Sequence, residues 1–376
     1  MIYLDYNATC PPTNSVCQSI LPFLTEEWGN PSSSYAFGNK ANQALDQARL
    51  SVARFLNASI EQVLFTSGAT EAINSAIHSA ISRFPERKHI VTSAVEHSAT
   101  LGYCEYLEKS LGYEVTRIPV DTDGGLLVQS VEAALRPDTA IVSLIWANNE
   151  TGVVWPVSDF AKLCHIRGVP IHIDAVQAVG KIPVDFEQSG ADFLSLSGHK
   201  FGAIKGSGAL IIREPDSFVP LIIGGKQERG LRGGTESVPL CVALGEAAKL
   251  ADSRSGELWQ EIAAMRDSFE QEIVRLIPNA VMHGESAERL PNTTSLHIPG
   301  VDSDVAVTYL DQKGICVSSG SACMESAIAP SHVIYAMTKS HDIASETLRV
   351  SLGIDSTQGE LEQLTRELVA LVGMYT

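Results

Sequence analysis

Between about residue 60 and residue 215 the chain repeats one rhythm: a short apolar, β-branched run, then a helical pattern, then another run. The runs are Val63-Leu-Phe-Thr66, His89-Ile-Val-Thr92, 114–118, 140–145, 169–174, 192–197 and 208–212. Continuous apolar runs suit strands covered on both sides, and strands separated by helices pair in parallel. The rhythm therefore demands an α/β fold with a mostly parallel sheet and helices on both faces. Two of the runs end in chemistry. Asp174-Ala-Val-Gln177 closes one, and Ser197-Gly-His-Lys200 closes the next. Open α/β sheets bind ligands at the carboxyl ends of their strands. A lysine there can form a Schiff base, and an acid can hold a pyridinium nitrogen charged. The pair points to pyridoxal phosphate.

Beyond about residue 253 the pattern changes. An amphipathic helix spans 259–276, and strand-like runs at 295–298 and 347–351 alternate with helices near 302–313 and from Gln358. A Gly/Ser turn is expected at 318–321. This mixture suggests a smaller α+β domain. The expected division is a large cofactor-binding domain, 15–250, and a small domain from 1–14 and 251–376. No basic leader with an apolar core follows Met1, and no run approaches the ~20 apolar residues that cross a bilayer, so a cytoplasmic location without membrane contact is expected. A net charge of −17 excludes a stand-alone nucleic-acid binder, though not action on nucleic acid through a partner. The seven cysteines are scattered without a C-x-x-C, which argues against disulfides and against a metal site.

Several other segments carry two readings each. Ser67-Gly-Ala-Thr-Glu71 stands between a strand and a helix, where backbone N–H groups can cradle a phosphate. It equally suits a plain cap by Thr70 or Ser67. His97 follows another strand at the same sheet edge and suits either a packed histidine or a ring stacked on a cofactor as proton shuttle. Asn148-Asn-Glu-Thr-Gly152 reads as a turn. Ser318-Ser-Gly-Ser-Ala-Cys323 places a thiol in a small-residue, locally mobile stretch, the setting of a reactive thiolate, although an inert surface thiol fits as well. Arg349, on the strand at 347–351, can clamp a carboxylate or pair structurally.

Taken together, these pieces resemble a known family. Leu4-Asp-Tyr-Asn-Ala-Thr9, Gly29-Asn-Pro-Ser-Ser33, Thr66–Glu71, Glu96-His97, Asn148–Gly152, Asp174–Gln177, Ser197–Lys200, Gln227–Thr235, Ser318–Cys323 and Leu348-Arg-Val-Ser-Leu352 occur in the order seen in NifS/IscS-like cysteine desulfurases, class V, fold-type I pyridoxal-phosphate enzymes. The resemblance implies Lys200 as the Schiff-base lysine, Asp174 as the pyridinium partner and Gln177 as a donor to the phenolic oxygen. It implies His97 as the stacking acid/base, and Ala69, Thr70, Ser197 and His199 as the phosphate cradle. Thr235 resembles a residue that reaches the neighbouring subunit's phosphate, which implies a homodimer. Asn149 and Arg349 resemble the substrate-carboxylate clamp, with Asn149 also beside the cofactor, and Cys323 resembles the sulfur acceptor.

The implied reaction takes L-cysteine to L-alanine, with sulfur leaving as a Cys323 persulfide for an acceptor protein. The pathway stays open among iron–sulfur assembly, tRNA thiolation and DNA phosphorothioation. Lys226 and Ala329 depart from the residues usual in the family, and the chain closes soon after the helix from Gln358, where housekeeping members extend further. Alternatives are a selenocysteine lyase, a class V aminotransferase, or a subunit acting mainly to deliver sulfur within a modification complex.

Overall fold

The computed structural model describes residues 1–254, 256–320 and 330–375. Strand β1 (Ile2–Tyr3) precedes helices Asn14–Thr25 and Ala36–Phe55. Seven strands follow: β2 (Val63–Thr66), β3 (His89–Ser93), β4 (Glu114–Ile118), β5 (Thr139–Ile145), β6 (Ile171–Asp174), β7 (Phe193–Ser197) and β8 (Gly208–Ile212). They form one sheet in the order β2-β8-β7-β6-β5-β3-β4. From β4 to β7 all pairings are parallel, and β8 runs antiparallel to both its neighbours. The expected mostly parallel sheet is therefore present. Every residue of β5 is buried, as its uninterrupted apolar run requires. Helix Ala69–Arg83 puts Ile73, Ala76, Ile77 and Ala80 against the sheet at helical spacing.

The strand order reverses between β3 and β5, so loops leaving the carboxyl ends of those strands diverge and open a crevice. Asp174 ends β6, and Lys200 and His97 lie just beyond the ends of β7 and β3 at that edge.

The remaining strands are β9 (Val281–Met282), β10 (Thr293–His297), β11 (Ile315–Cys316), β12 (Ser318–Ser319) and β13 (Thr347–Ser351). Four of them make an antiparallel sheet, β12-β13-β10-β9, and β1 pairs in parallel with β11. Helices Gly256–Leu276, Ser303–Gln312 and Gln358–Val372 bury Phe269, Ile273, Leu310 and Leu364 with Leu296 and Leu348 of this sheet. One expectation is corrected here. Ser318 and Ser319 do not begin a turn; they pair with Arg349 and Leu348, because the edge of β13 offers their backbone groups partners. Residues 321–329, including Cys323, lie outside the described residues. Among the described residues, no helix is long and apolar enough to cross a membrane.

Candidate active site

A cavity of about 460 Å³ opens at the carboxyl ends of β3, β5, β6 and β7. Ala69, Thr70, His97, Asn149, Asp174, Gln177, Ser197, His199, Lys200 and Arg349 all line it. Thr235 does not. It lines a neighbouring cavity of about 90 Å³ with Ser67, Gly206 and Arg232.

The helix at 69–83 meets the cavity with its amino end. Neither Ser67 nor Thr70 caps it: the N-cap is Gly68, with φ 154° and no side-chain hydrogen bond. Gly208 of β8 must be glycine, since a Cβ there would sit 2.6 Å from the Gly68 Cα. Glu71 instead accepts from the Ser67 N–H (2.9 Å) and is held by Arg232 (3.0 Å). With no side-chain cap, the N–H groups of the first turn stay available to an anion.

Lys200 Nζ donates to the carbonyls of Asn7 (2.7 Å) and Ala8 (2.9 Å). The turn that follows the amino-terminal strand thus crosses the site, a placement that assigning no role to the Leu4–Thr9 motif misses. Asn7 is buried and saturated. Its amide donates to Thr293 Oγ1 (2.9 Å), its Oδ1 accepts from Lys181 Nζ (2.8 Å), and its carbonyl also accepts from Gln177 Nε2 (3.0 Å). Lys181, one helical turn beyond Gln177, also donates to Gln177 Oε1. Burial pushes the Lys181 ammonium down to about 7. The Gln177–Lys181 spacing was the available signal for this residue.

Asp174 ends β6, buried, and desolvation pushes its carboxyl up to about 6. Oδ1 accepts from the Val176 N–H (3.0 Å), while Oδ2 has no hydrogen bond among the described residues. His97 caps the helix Ser98–Leu111, its Nδ1 accepting from the Ala99 N–H (3.1 Å). Burial, with the charge of Lys200, pushes the ring down to about 4. The neutral ring therefore carries its hydrogen on Nε2 and enters as a donor there. His199 is likewise pushed down to about 4, with Nδ1 3.2 Å from Thr9 Oγ1.

For Arg349 the structural pairing is present. Nη2 pairs with Asp5 Oδ1 (2.8 Å) and Nη1 donates to the Asn149 carbonyl (3.1 Å), yet buried Nε has no partner. Arg349 lines the cavity, and a guanidinium there suits a carboxylate. An uncapped helix end, an acid with an open oxygen, a lysine and this guanidinium together form a donor set that fits pyridoxal phosphate and an amino acid.

Glu96 is a further buried group that taking only His97 from its motif overlooks. Oε1 accepts from Ser93 Oγ (2.6 Å) and the Ile145 N–H (3.2 Å), Oε2 has no partner, and burial pushes the carboxyl up to about 8. The folded protein then keeps a proton that the unfolded chain releases above its ordinary carboxyl value, so stability falls as pH rises toward 8. Glu96→Gln cannot ionise and is expected to flatten the decline in melting temperature between about pH 5 and 8. A decline as steep as that of the unmodified protein would assign it to another group.

The comparisons agree with this geometry. The family model described as aminotransferase class-V matches residues 2–364. A cysteine desulfurase from Cereibacter sphaeroides is 46% identical, covering 99% of this chain and 95% of its own. Among solved structures, a NifS-like protein superposes with a TM-score of 0.92 at 33% identity, covering 99% of both chains. SspA in complex with cysteine superposes at 0.83 with 35% identity, covering 94% of this chain and 99% of that one.

Proposed function

The chain belongs to the class-V aminotransferase family and, within it, to the cysteine desulfurases, and from that membership we propose how its residues divide the work. The enzyme is a pyridoxal-phosphate-dependent cysteine desulfurase that converts L-cysteine to L-alanine. The observation that carries the reading is the sharing of one cavity by Lys200, Asp174 and Arg349.

Bound in this cavity, pyridoxal phosphate supplies an electron sink for the pair released at the substrate's Cα. The first-turn N–H groups at Ala69 and Thr70, with Ser197 and His199, would hold its phosphate; Asp174 would partner the ring nitrogen and Gln177 the phenolic oxygen. Arg349, braced by Asp5 and the Asn149 carbonyl, orients the substrate carboxylate, and Asn149 assists. Lys200 moves the Cα proton, and neutral His97 exchanges a proton at Nε2 near the substrate sulfur. Cys323, as thiolate, attacks that sulfur. An S–S bond forms, the substrate's Cβ–S bond breaks with its pair going to carbon, and Cβ takes up a proton. Alanine and a Cys323 persulfide result, and the persulfide passes to an acceptor protein. We place the cofactor unit at 15–250 and the Cys323-bearing unit at 1–14 and 251–376. We further propose a homodimer in which Thr235 serves the neighbouring subunit's site.

The test is product analysis. The pyridoxal-phosphate-loaded protein, given L-cysteine and dithiothreitol, should release alanine and sulfide in equal amounts. Asp174→Asn should slow this by at least about 100-fold, since the charge that holds the ring nitrogen protonated is gone. Pyruvate and ammonia in place of alanine would mark an elimination and sink the reading.

A further inference from the structure

The turn after β5 is wound around one side chain. Asn148 Oδ1 accepts the backbone N–H groups of Glu150 (2.8 Å) and Thr151 (3.0 Å), and Asn148 Nδ2 donates to the Val95 carbonyl (3.1 Å). This local lock fixes the positions of the two residues after Asn148. The Asn149 carbonyl accepts from Arg349 Nη1 (3.1 Å) and Asn7 Nδ2 (3.2 Å). Glu150 is 4% exposed, and its Oε2 meets both flanks of residues 321–329. On one flank the Ser331 hydroxyl donates to it (2.5 Å). On the other, Gly320 packs so close that a Cβ built there would lie 2.6 Å from the same oxygen. Ser331 Oγ also accepts from the Ile334 N–H (3.0 Å), capping helix His332–Thr338, and His332 Nε2 bonds the Glu96 carbonyl (3.0 Å).

We propose that Glu150 is a positioning residue for sulfur transfer: its single buried carboxyl ties both flanks of the Cys323 segment to the turn that braces Arg349. Cys323 follows Gly320 by three residues, a tether of at most about 10 Å. Fixing Gly320 against Glu150 therefore fixes the point from which the chain departs toward Cys323. The same turn sets Arg349, so the substrate's carboxylate and the sulfur acceptor are referenced to one rigid element. The inference rests on Cys323 as sulfur acceptor.

The experiment uses the full-length, pyridoxal-phosphate-loaded protein and its Glu150→Ala, Glu150→Gln and Ser331→Ala variants. Two quantities are read: L-cysteine affinity from the cofactor's spectral change, and the single-turnover rate of persulfide formation on the Cys323 peptide by mass spectrometry. Glu150→Ala and Ser331→Ala should bind cysteine within about twofold of the unmodified protein but form persulfide about 10- to 100-fold more slowly, the cost of a misplaced reacting group. Glu150→Gln keeps an oxygen acceptor for Ser331 and should recover most of the rate. The double alanine variant should be no slower than the slower single, because both remove one contact. Should Glu150→Ala fail to fold, Ser331→Ala, which removes only a hydroxyl, decides the matter. Persulfide formation at the unmodified rate in Ser331→Ala, or equal loss of cysteine affinity and transfer rate, would overturn the proposal. Desulfuration by Cys323→Ala would instead overturn the acceptor assignment beneath it.

Discussion

Replacing Lys200 with alanine is expected to lower turnover of L-cysteine by at least about 10⁴-fold, roughly 5.5 kcal/mol of barrier. The loss is large because the proposed mechanism gives one amine two tasks: to anchor the cofactor covalently and to move the Cα proton. Its place on the chain makes both possible. Lys200 lies three residues beyond the end of β7, and the Asn7 and Ala8 carbonyls hold its ammonium group in the cavity that Asp174 also lines. Removing it leaves those carbonyls short of a donor, which costs about 1–3 kcal/mol of stability, so circular dichroism should accompany the assay. The variant should also release its cofactor on gel filtration, where the unmodified protein retains it. A folded Lys200→Ala protein turning over within about tenfold of the unmodified rate, a difference near 1.4 kcal/mol, would refute the assignment.

Cys323→Ala should bind L-cysteine normally, since Lys200, Asp174 and Arg349 remain, yet form alanine at least about 10³-fold more slowly because the nucleophile is gone. Unmodified protein incubated with cysteine should gain the mass of one sulfur atom on the Cys323 peptide, reversibly with reductant. The other cysteines should be dispensable. Burial pushes the thiols of Cys104 and Cys164 up to about 12 and raises those of Cys10, Cys241 and Cys316, so these groups stay protonated and unreactive. Normal alanine release by Cys323→Ala would reject Cys323 as the sulfur acceptor.

Local pattern made much of this molecule readable. The strand at 208–212 and the strand at 347–351 stand where their β-branched runs end, and the helix from Gln358 begins where Thr357 and Glu360 form a capping box. Asp174 and Lys200 were legible because each ends such a run, and run ends at one sheet edge converge. The resemblance added Thr235, which no periodicity singles out, and the roles given to Cys323 and Gln177.

The sequence by itself determined the sheet, its helices and the edge at which the chemistry gathers, because periods of two and 3.6 residues are local properties of the chain. Tertiary structure alone decided the electrical state and bracing of the site. Lys200 rests on Asn7 and Ala8, Arg349 on Asp5, and Glu150 between Gly320 and Ser331, pairings across chain separations that no local pattern encodes. The same holds for charge. Glu96 keeps its proton and His97 sheds one because the folded core strips water from both, and desolvation belongs to the packed environment rather than to the residue type.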